Sequence, residues 1–519
     1  MIGMSFGRVL DACAHNYPTE TALVQGDRRL TYAELFGRIR QTGRALRALG
    51  LEPGDRVAIV MVDSPALLEV MYGALWAGLT IVPLNARLAL EDHLYMVGDA
   101  AARALVFDAA MAERGHEILA GADIEHAIAT EANAVPEGGL LLSRLVAEQA
   151  PGAGHPDVDP DRECWIQYTG GTTGFPKGAL HSHRTILSTL YSCALELDVR
   201  PGEISAHVAP LTHSGIVYVL PVWARGGTNV VLGGFDPAKL LETIERERVT
   251  STLVVPTMLY HLLDIPGIAD RDLASLRTVT YGAAPIGPDR LEQALDTLGP
   301  VFLQVYGQTE APAQITVLAK RDHLRARQNP DLLRSCGRPV AIADVRCADD
   351  DLASVADGAP GEIVVRAPNV TLGYINKPEE TAAALREGWL CTGDVGVRDE
   401  DGYFYIVDRK KDMIVSGGFN VYPKEVEQTL FAHPSVRDVC VVGVPDPKWG
   451  EAVKAVVVAA EGSEASEREL VDFVKQRKGG VIAPKSVDFV DSIPLTSVGK
   501  HDKKAVRESY WAGRDRAVN

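Results

Sequence analysis

An early alternation of β-rich and helical runs constrains this chain most, because parallel strands joined by helices must form a sheet buried on both faces. Thr31 and Glu34 make a T-x-x-E capping box ahead of Leu35, Ile39, Leu46 and Leu49, which predicts an amphipathic helix ending at Gly50. Residues 56–62 read as a strand, 66–77 as a helix and 80–83 as an apolar strand again. Residues 252–255, 278–281 and 301–305 carry the same strand signal, and the last two run into polar or glycine-rich motifs. Ligands in open α/β sheets gather at the carboxyl ends of strands, so those motifs mark the expected site.

At 519 residues the chain needs more than one hydrophobic core. Residues 131–161 are rich in Ala, Gly, Pro and Asp and read as a loop-rich link between two subdomains. Beyond Asp408 the texture changes: 439–444 and 454–459 look like strands, and Ser466 with Glu469 caps a helix running to about Lys478. The expected fold class is therefore α/β, a large N-terminal region of packed α/β subdomains with a β-rich part, followed by a small α+β domain.

Lys and Arg total 52 against 69 Asp and Glu, and the net charge of -17 argues against a broad nucleic-acid surface. The apolar stretch 215–224 is broken by Pro221 and falls short of the roughly 20 residues that span a bilayer. Asp11 interrupts what an export signal would need to be apolar, so the expected location is the cytoplasm. The seven cysteines are scattered and never spaced C-x-x-C, which implies neither a disulfide scaffold nor a zinc site. His181 and His183 lack a nearby carboxylate or thiol partner in sequence, so no metal is expected there.

The strongest local signal is Tyr168-Thr-Gly-Gly-Thr-Thr-Gly-Phe-Pro-Lys177-Gly. Thr169, Gly170, Gly171, Thr172, Thr173, Gly174 and Lys177 supply backbone N–H groups, hydroxyls and an ammonium suited to phosphate oxygens. A Walker A loop needs Gly before the Lys and Ser or Thr after it, whereas Pro176 and Gly178 stand there. With Pro210-Leu-Thr-His213, Tyr281-Gly-Ala-Ala-Pro285, Tyr306-Gly-Gln-Thr-Glu310, Thr392-Gly-Asp394, Asp408-Arg-Lys-Lys411 and Gly499-Lys500, it makes an ordered set spread over nearly the whole chain. In this set the chain resembles the adenylate-forming superfamily of AMP-forming acyl- and aryl-CoA synthetases, firefly luciferase and nonribosomal peptide synthetase adenylation domains.

That resemblance implies an ATP-dependent carboxylic acid:CoA ligase that forms acyl-AMP and pyrophosphate, then acyl-CoA and AMP, with ATP, Mg²⁺ and coenzyme A as cofactors. It implies an adenylation domain over 1–408, a hinge over 409–411 turning at Lys411, and a mobile lid over 412–519. Gly282, Ala283, Ala284, Pro285, Gln304, Tyr306 and Gly307 are implied to line the adenine slot. Thr309 is implied to meet the α-phosphate, Glu310 to hold Mg²⁺, and Asp394 with Arg409 to bind the ribose. Lys500 is implied to bridge the substrate carboxylate and the α-phosphate, and Gly417 and Gly418 to leave room for the pantetheine arm. His213, Gly215, Tyr281, Gly282, Ala311, Pro312 and Ala313 are the implied acyl-pocket residues, mostly small, suggesting an aromatic, bulky cyclic or medium-length acid. No acidic residue stands among them to capture an amino group. The chain departs from the family at Thr212, where an aromatic is frequent, and at Gly170, where many members carry Ser. Transfer to an acyl carrier protein and luciferase-like oxygenation of the adenylate remain alternatives on the same motifs.

Overall fold

The structure, a computed structural model, describes residues 5–149, 154–169, 176–284, 286–409, 412–416, 419–460, 462–463, 465–495 and 501–511. The chain divides into two compact units, Met1–Val345 with Val365–Leu390, and Arg346–Val364 with Cys391–Asn519.

The first unit contains two sheets. In one, Ala104–Phe107, Arg56–Val60, Thr80–Pro83 and Glu163–Thr169 lie side by side in parallel, and Lys177–Ser182 and Gly373–Tyr374 extend the sheet antiparallel. Thr80–Pro83 and Ala104–Phe107 are buried at every position, as sheets covered by helices on both faces require. The expected helices are present as Tyr32–Ala48, with both capping-box hydrogen bonds between Thr31 and Glu34, and Pro65–Trp76, capped by Ser64 with proline at its start. They pack into a core that includes Tyr32, Phe36, Tyr72, Trp76 and Trp223.

In the other sheet, Ile204–His207, Ser251–Val254, Thr278–Gly282 and Phe302–Gln308 run parallel in that order, and Ala311–Leu318 folds back antiparallel on the last. The carboxyl ends of Thr278–Gly282 and Phe302–Gln308 lead directly into the motifs singled out above. The apolar stretch expected near Pro221 forms the helix Ile216–Ala224 with Pro221 inside it. No helix of the described residues is long and apolar enough to cross a membrane.

The link expected over 131–161 needs correcting. Leu140–Leu141 pairs in parallel with His126–Ala129 as a sheet edge, and Leu142–Ala147 is helical. Strands before and after this stretch belong to the same sheet, so it does not separate two subdomains. Leu140 and Leu141 find a partner strand in the sheet, which outweighs the helix- and strand-breaking composition around them.

In the second unit, residues 394–398 of the strand Trp389–Arg398 pair antiparallel with Phe404–Arg409. A further sheet joins Val436–Asp446 to Gly450–Ala459 antiparallel and Ser486–Phe489 to the latter in parallel. Pro423–Phe431 and Glu467–Lys478 cover it around a core of Val426, Leu430, Val439, Val441, Val453 and Leu470. Replacing Thr31 by Ala removes the hydroxyl that accepts from the Glu34 N–H while leaving the backbone N–H that donates to the Glu34 carboxylate, and is expected to cost about 1 kcal/mol, read as a lower urea midpoint for the first unit's transition.

Candidate active site

The carboxyl ends of Thr278–Gly282 and Phe302–Gln308 are brought together by register, Tyr281 beside Gln304 and Gly282 beside Val305. Two glycines permit this geometry. A Cβ on Gly282 would stand 2.4 Å from the Val305 carbonyl oxygen, and one on Gly307 would stand 2.6 Å from that of Ala313. Ala283 and Ala313 hold left-handed backbone at φ 66° and 68°, a conformation costing roughly 1–2 kcal/mol for a residue with a Cβ. Both strained alanines flank the strand ends where the nucleotide and acid are expected. Ala283 is exposed, Ala284, Gln304, Gly307, Pro312 and Ala313 are half-buried, and Tyr306 and Ala311 are buried. The Tyr281 ring lies fully inside the core, its hydroxyl 2.9 Å from His323 Nε2. His323 Nδ1 donates to the Ala319 carbonyl, so Nε2 accepts from Tyr281. Pro285 lies outside the described residues.

Thr309 and Glu310 form the turn between Phe302–Gln308 and Ala311–Leu318, with Gln308 paired to Ala311 across it. Groups from the other sheet pin this turn. His181 Nε2 donates to the Thr309 carbonyl at 2.8 Å, and the Tyr374 hydroxyl donates to Glu310 Oε1 at 2.6 Å. Thr371 N–H donates to the Glu310 carbonyl at 2.7 Å, and Asn369 Nδ2 to that of Pro312 at 3.2 Å. Burial pushes the His181 imidazole down to about 4, so it stays neutral near pH 7 and keeps its donor tautomer. His183 is likewise driven down to about 4 by burial; it accepts from the Phe6 N–H and packs on that ring.

Thr169 and Lys177 are cross-strand partners, which pins the base of the expected phosphate loop; Gly170, Gly171, Thr172, Thr173 and Gly174 lie outside the described residues. The Lys177 ammonium sits over the Tyr374 ring, 5.4 Å from its centroid. One tyrosine thus touches both the phosphate-loop lysine and the carboxylate at the turn.

His213 lies in the single wide turn Leu211–Gly215 with non-helical backbone, φ -125° and ψ -120°. Trp165 Nε1 donates to Gln167 Oε1 at 3.0 Å, and the Gln167 amide nitrogen lies 3.0 Å from His213 Nδ1. That chain makes Nδ1 an acceptor and leaves the His213 proton on Nε2. Asp63 Oδ1 accepts from Leu211 N–H at 3.0 Å at the start of the turn. Burial pushes its carboxyl up to about 6, opposed by that hydrogen bond and by Arg87. Gly215 is buried, and a Cβ there would lie 2.8 Å from the Pro210 carbonyl oxygen.

In the second unit, Asp394 and Arg409 are register partners joined by an ion pair of 2.6 Å, the carboxylate nearly buried and the guanidinium half-exposed. Asp394 N–H donates to Thr392 Oγ1, whose hydroxyl donates to the Ile363 carbonyl, so the backbone of the strand is held at the aspartate. Lys411, Gly417, Gly418 and Lys500 lie outside the described residues. Near them in sequence, Lys503 Nζ pairs with Glu427 Oε1 at 2.9 Å. Burial works against its charge, yet Glu427, Asp408 and Asp412 together hold the ammonium above its usual range.

Among the described residues no group of three or more His, Cys, Asp or Glu is assembled for a metal ion. Tyr374, His181 and Gln167 are the residues that motif reading missed. Nothing local to His181, Tyr374 or Gln167 showed these partners, which lie 128, 64 and 46 residues away.

Residues 10–375 match the AMP-binding enzyme family, and residues 425–500 match the AMP-binding enzyme C-terminal domain. The chain belongs to the AMP-binding enzyme family. It is 42% identical to the medium/long-chain-fatty-acid–CoA ligase FadD8 of Mycobacterium tuberculosis, over 99% of this chain and 91% of that one. It is 40% identical to a feruloyl-CoA synthase of an Amycolatopsis species, over 95% of this chain and 96% of that one. In three dimensions it resembles the amide bond synthetase McbA of Marinactinospora thermotolerans, at a TM-score of 0.88 and 32% identity, covering 97% of this chain and 100% of that one. This enzyme is an ATP-dependent acid:CoA ligase working through an acyl-adenylate, with a small carboxylic acid and CoA as substrates. Gly307→Ala pushes a methyl against the Ala313 carbonyl and is expected to cut the rate of acyl-adenylate formation at least tenfold while leaving the circular dichroism spectrum unchanged, measured by pyrophosphate release.

Proposed function

We propose that the enzyme activates an acid with an extended apolar tail, a medium-chain fatty acid or an arylpropenoic acid, and that the residues above divide the work as follows. The observation that supports the reading is the pinned turn, whose Glu310 shares Tyr374 as a contact with Lys177. Lys177 and the phosphate loop hold the triphosphate, and Thr309 donates to the α-phosphate. Gly282, Ala283, Ala284, Pro285, Gln304, Tyr306 and Gly307 receive the adenine, and Asp394 accepts the ribose hydroxyls with Arg409 orienting its carboxylate. Gly170 offers a backbone donor where many relatives add a hydroxyl.

The half-exposed Glu310 carboxylate and the adjoining Thr309 present oxygen donors, the set that suits Mg²⁺. When bound there with the nucleotide, Mg²⁺ would neutralise charge on the phosphate oxygens. Lys500 meets the attacking carboxylate oxygen and the α-phosphate together, so the carboxylate attacks phosphorus in line and pyrophosphate leaves. Rotation about Lys411, from a domain over 1–408 to a lid over 412–519, then brings Gly417 and Gly418 to the CoA arm. The thiolate attacks the adenylate carbonyl and AMP leaves.

The acid lies against His213, Gly215, Gly282, Ala311, Pro312 and Ala313, with the Gln167 hydrogen bond fixing the His213 ring. The Tyr281 ring supports this pocket from within the core. The ligase relatives, one acting on fatty acids and one on a feruloyl acid, favour this substrate class. None of the seven cysteines is in a disulfide and six are buried, which supports residence in a reducing cytoplasm.

Mass spectrometry of reactions with ATP, Mg²⁺, CoA and a panel of fatty, arylpropenoic and polycyclic acids tests the substrate class. Thioesters confined to the first two groups support it, and turnover only of polycyclic acids overturns it. Lys500→Ala is expected to slow adenylation about a hundredfold to a thousandfold while thioester formation from supplied acyl-adenylate stays within about threefold; equal loss in both steps removes the role given to Lys500. Asp394→Ala is expected to raise the KM for ATP about tenfold or more, and an unchanged KM contradicts ribose binding.

A further inference from the structure

An ammonium and a carboxylate that both serve a triphosphate are natural partners for each other, and a direct ion pair between them would have to be broken before substrate could bind. Lys177 and Glu310 are such a couple, and Tyr374 separates them. Its ring carries the Lys177 ammonium at 5.4 Å from the centroid, and its hydroxyl donates to Glu310 Oε1 at 2.6 Å.

Tyr374 is itself held firmly. It ends the edge strand Gly373–Tyr374, whose residues pair with Leu180 and Ala179 of the strand that Lys177 begins. Tyr374 N–H donates to Thr381 Oγ1 at 2.9 Å, and Thr371 N–H meets the Glu310 carbonyl at 2.7 Å. The segment 371–374 therefore grips Glu310 by both backbone and side chain, while Tyr374 shares a strand pair with the base of the phosphate loop.

We propose that Tyr374 is a positioning residue that keeps Lys177 and Glu310 apart and turns the second carboxylate oxygen of Glu310 toward the metal site. This rests on the reading of Lys177 as a phosphate ligand and Glu310 as the Mg²⁺ ligand. The hydroxyl takes up one carboxylate oxygen, Oε1, and leaves Oε2 as the oxygen presented to a cation. The ring attracts the ammonium through its quadrupole without neutralising it, so Lys177 passes to phosphate oxygens without first breaking a salt bridge. A phenylalanine keeps the second function and loses the first; an aliphatic residue loses both.

The test compares Tyr374→Phe, Tyr374→Leu and wild-type enzyme by two readouts, nucleotide binding titrated by fluorescence with a labelled ATP analogue in EDTA and in graded Mg²⁺, and the Mg²⁺ dependence of adenylation. Tyr374→Phe is expected to bind the analogue normally in EDTA and to need about tenfold more Mg²⁺ for half-maximal enhancement of binding. Tyr374→Leu is expected to bind it more weakly in EDTA as well, with the loss larger at low salt, because Lys177 and Glu310 now pair. A wild-type Mg²⁺ dependence in Tyr374→Phe overturns the proposal, as does equal binding of both variants in EDTA. Glu310→Gln separates this from the underlying reading: if that variant keeps the wild-type Mg²⁺ dependence, the metal role of Glu310 fails. Unchanged melting temperature in Tyr374→Phe excludes a merely structural loss.

Discussion

The turn that carries Thr309 and Glu310 is held from outside its own hairpin, and the rest of the site depends on that grip. A tight turn between antiparallel strands is free to flex unless its polar groups are taken up by a rigid neighbour. Here His181 and the segment 369–374, both attached to the other sheet of the first unit, take up the carbonyls of Thr309, Glu310 and Pro312 and one carboxylate oxygen. The turn therefore sits where the two sheets of the first unit meet, and one core that holds Ile59 and Ile81 of one sheet with Leu303 and Val305 of the other backs it.

The same economy governs the remaining positions. Buried hydrogen-bonding groups are expensive to leave unpaired, so each buried polar residue near the site is tied to one partner that sets its direction. Trp165 orients Gln167, which orients His213, and Arg409 holds the carboxylate of Asp394. His181 stays neutral because burial disfavours its charge, which makes it a fixed donor around neutral pH. Where backbone must approach backbone, at Gly282 beside Val305 and Gly307 beside Ala313, no side chain fits, and the strain appears instead at Ala283 and Ala313. Catalysis by preorganised groups needs such stiffness, since reorganisation during the reaction would consume the advantage.

Much of the fold was legible because its signals are local. The capping box at Thr31 and Glu34, the apolar strand Thr80–Pro83 and the serine cap at Ser466 each depend on residues a few positions apart, and each appears as expected. The stretch around Leu140 misled because its prolines and glycines are local while its strand partner, Ile128, is supplied by the sheet. Family motifs marked Thr309, Glu310, Lys177, Asp394 and Arg409 as a set, and the structure groups Thr309, Glu310 and Lys177 in one unit and pairs Asp394 with Arg409 in the other. Tyr374, Gln167 and His181 escaped notice because a positioning residue is recognised by what it touches. Their partners are distant in sequence, and tyrosine, glutamine and histidine on a strand look like ordinary packing until the fold joins them.

A carboxylate attacks the α-phosphorus and yields a discrete acyl-adenylate before CoA takes part. Isotope exchange between labelled pyrophosphate and ATP, measured with a carboxylic acid present and CoA omitted, tests it most directly. Label is expected in ATP that depends on the acid, needs no CoA and is lost in Lys500→Ala. Exchange that requires CoA, or ADP formed in place of AMP, would contradict it.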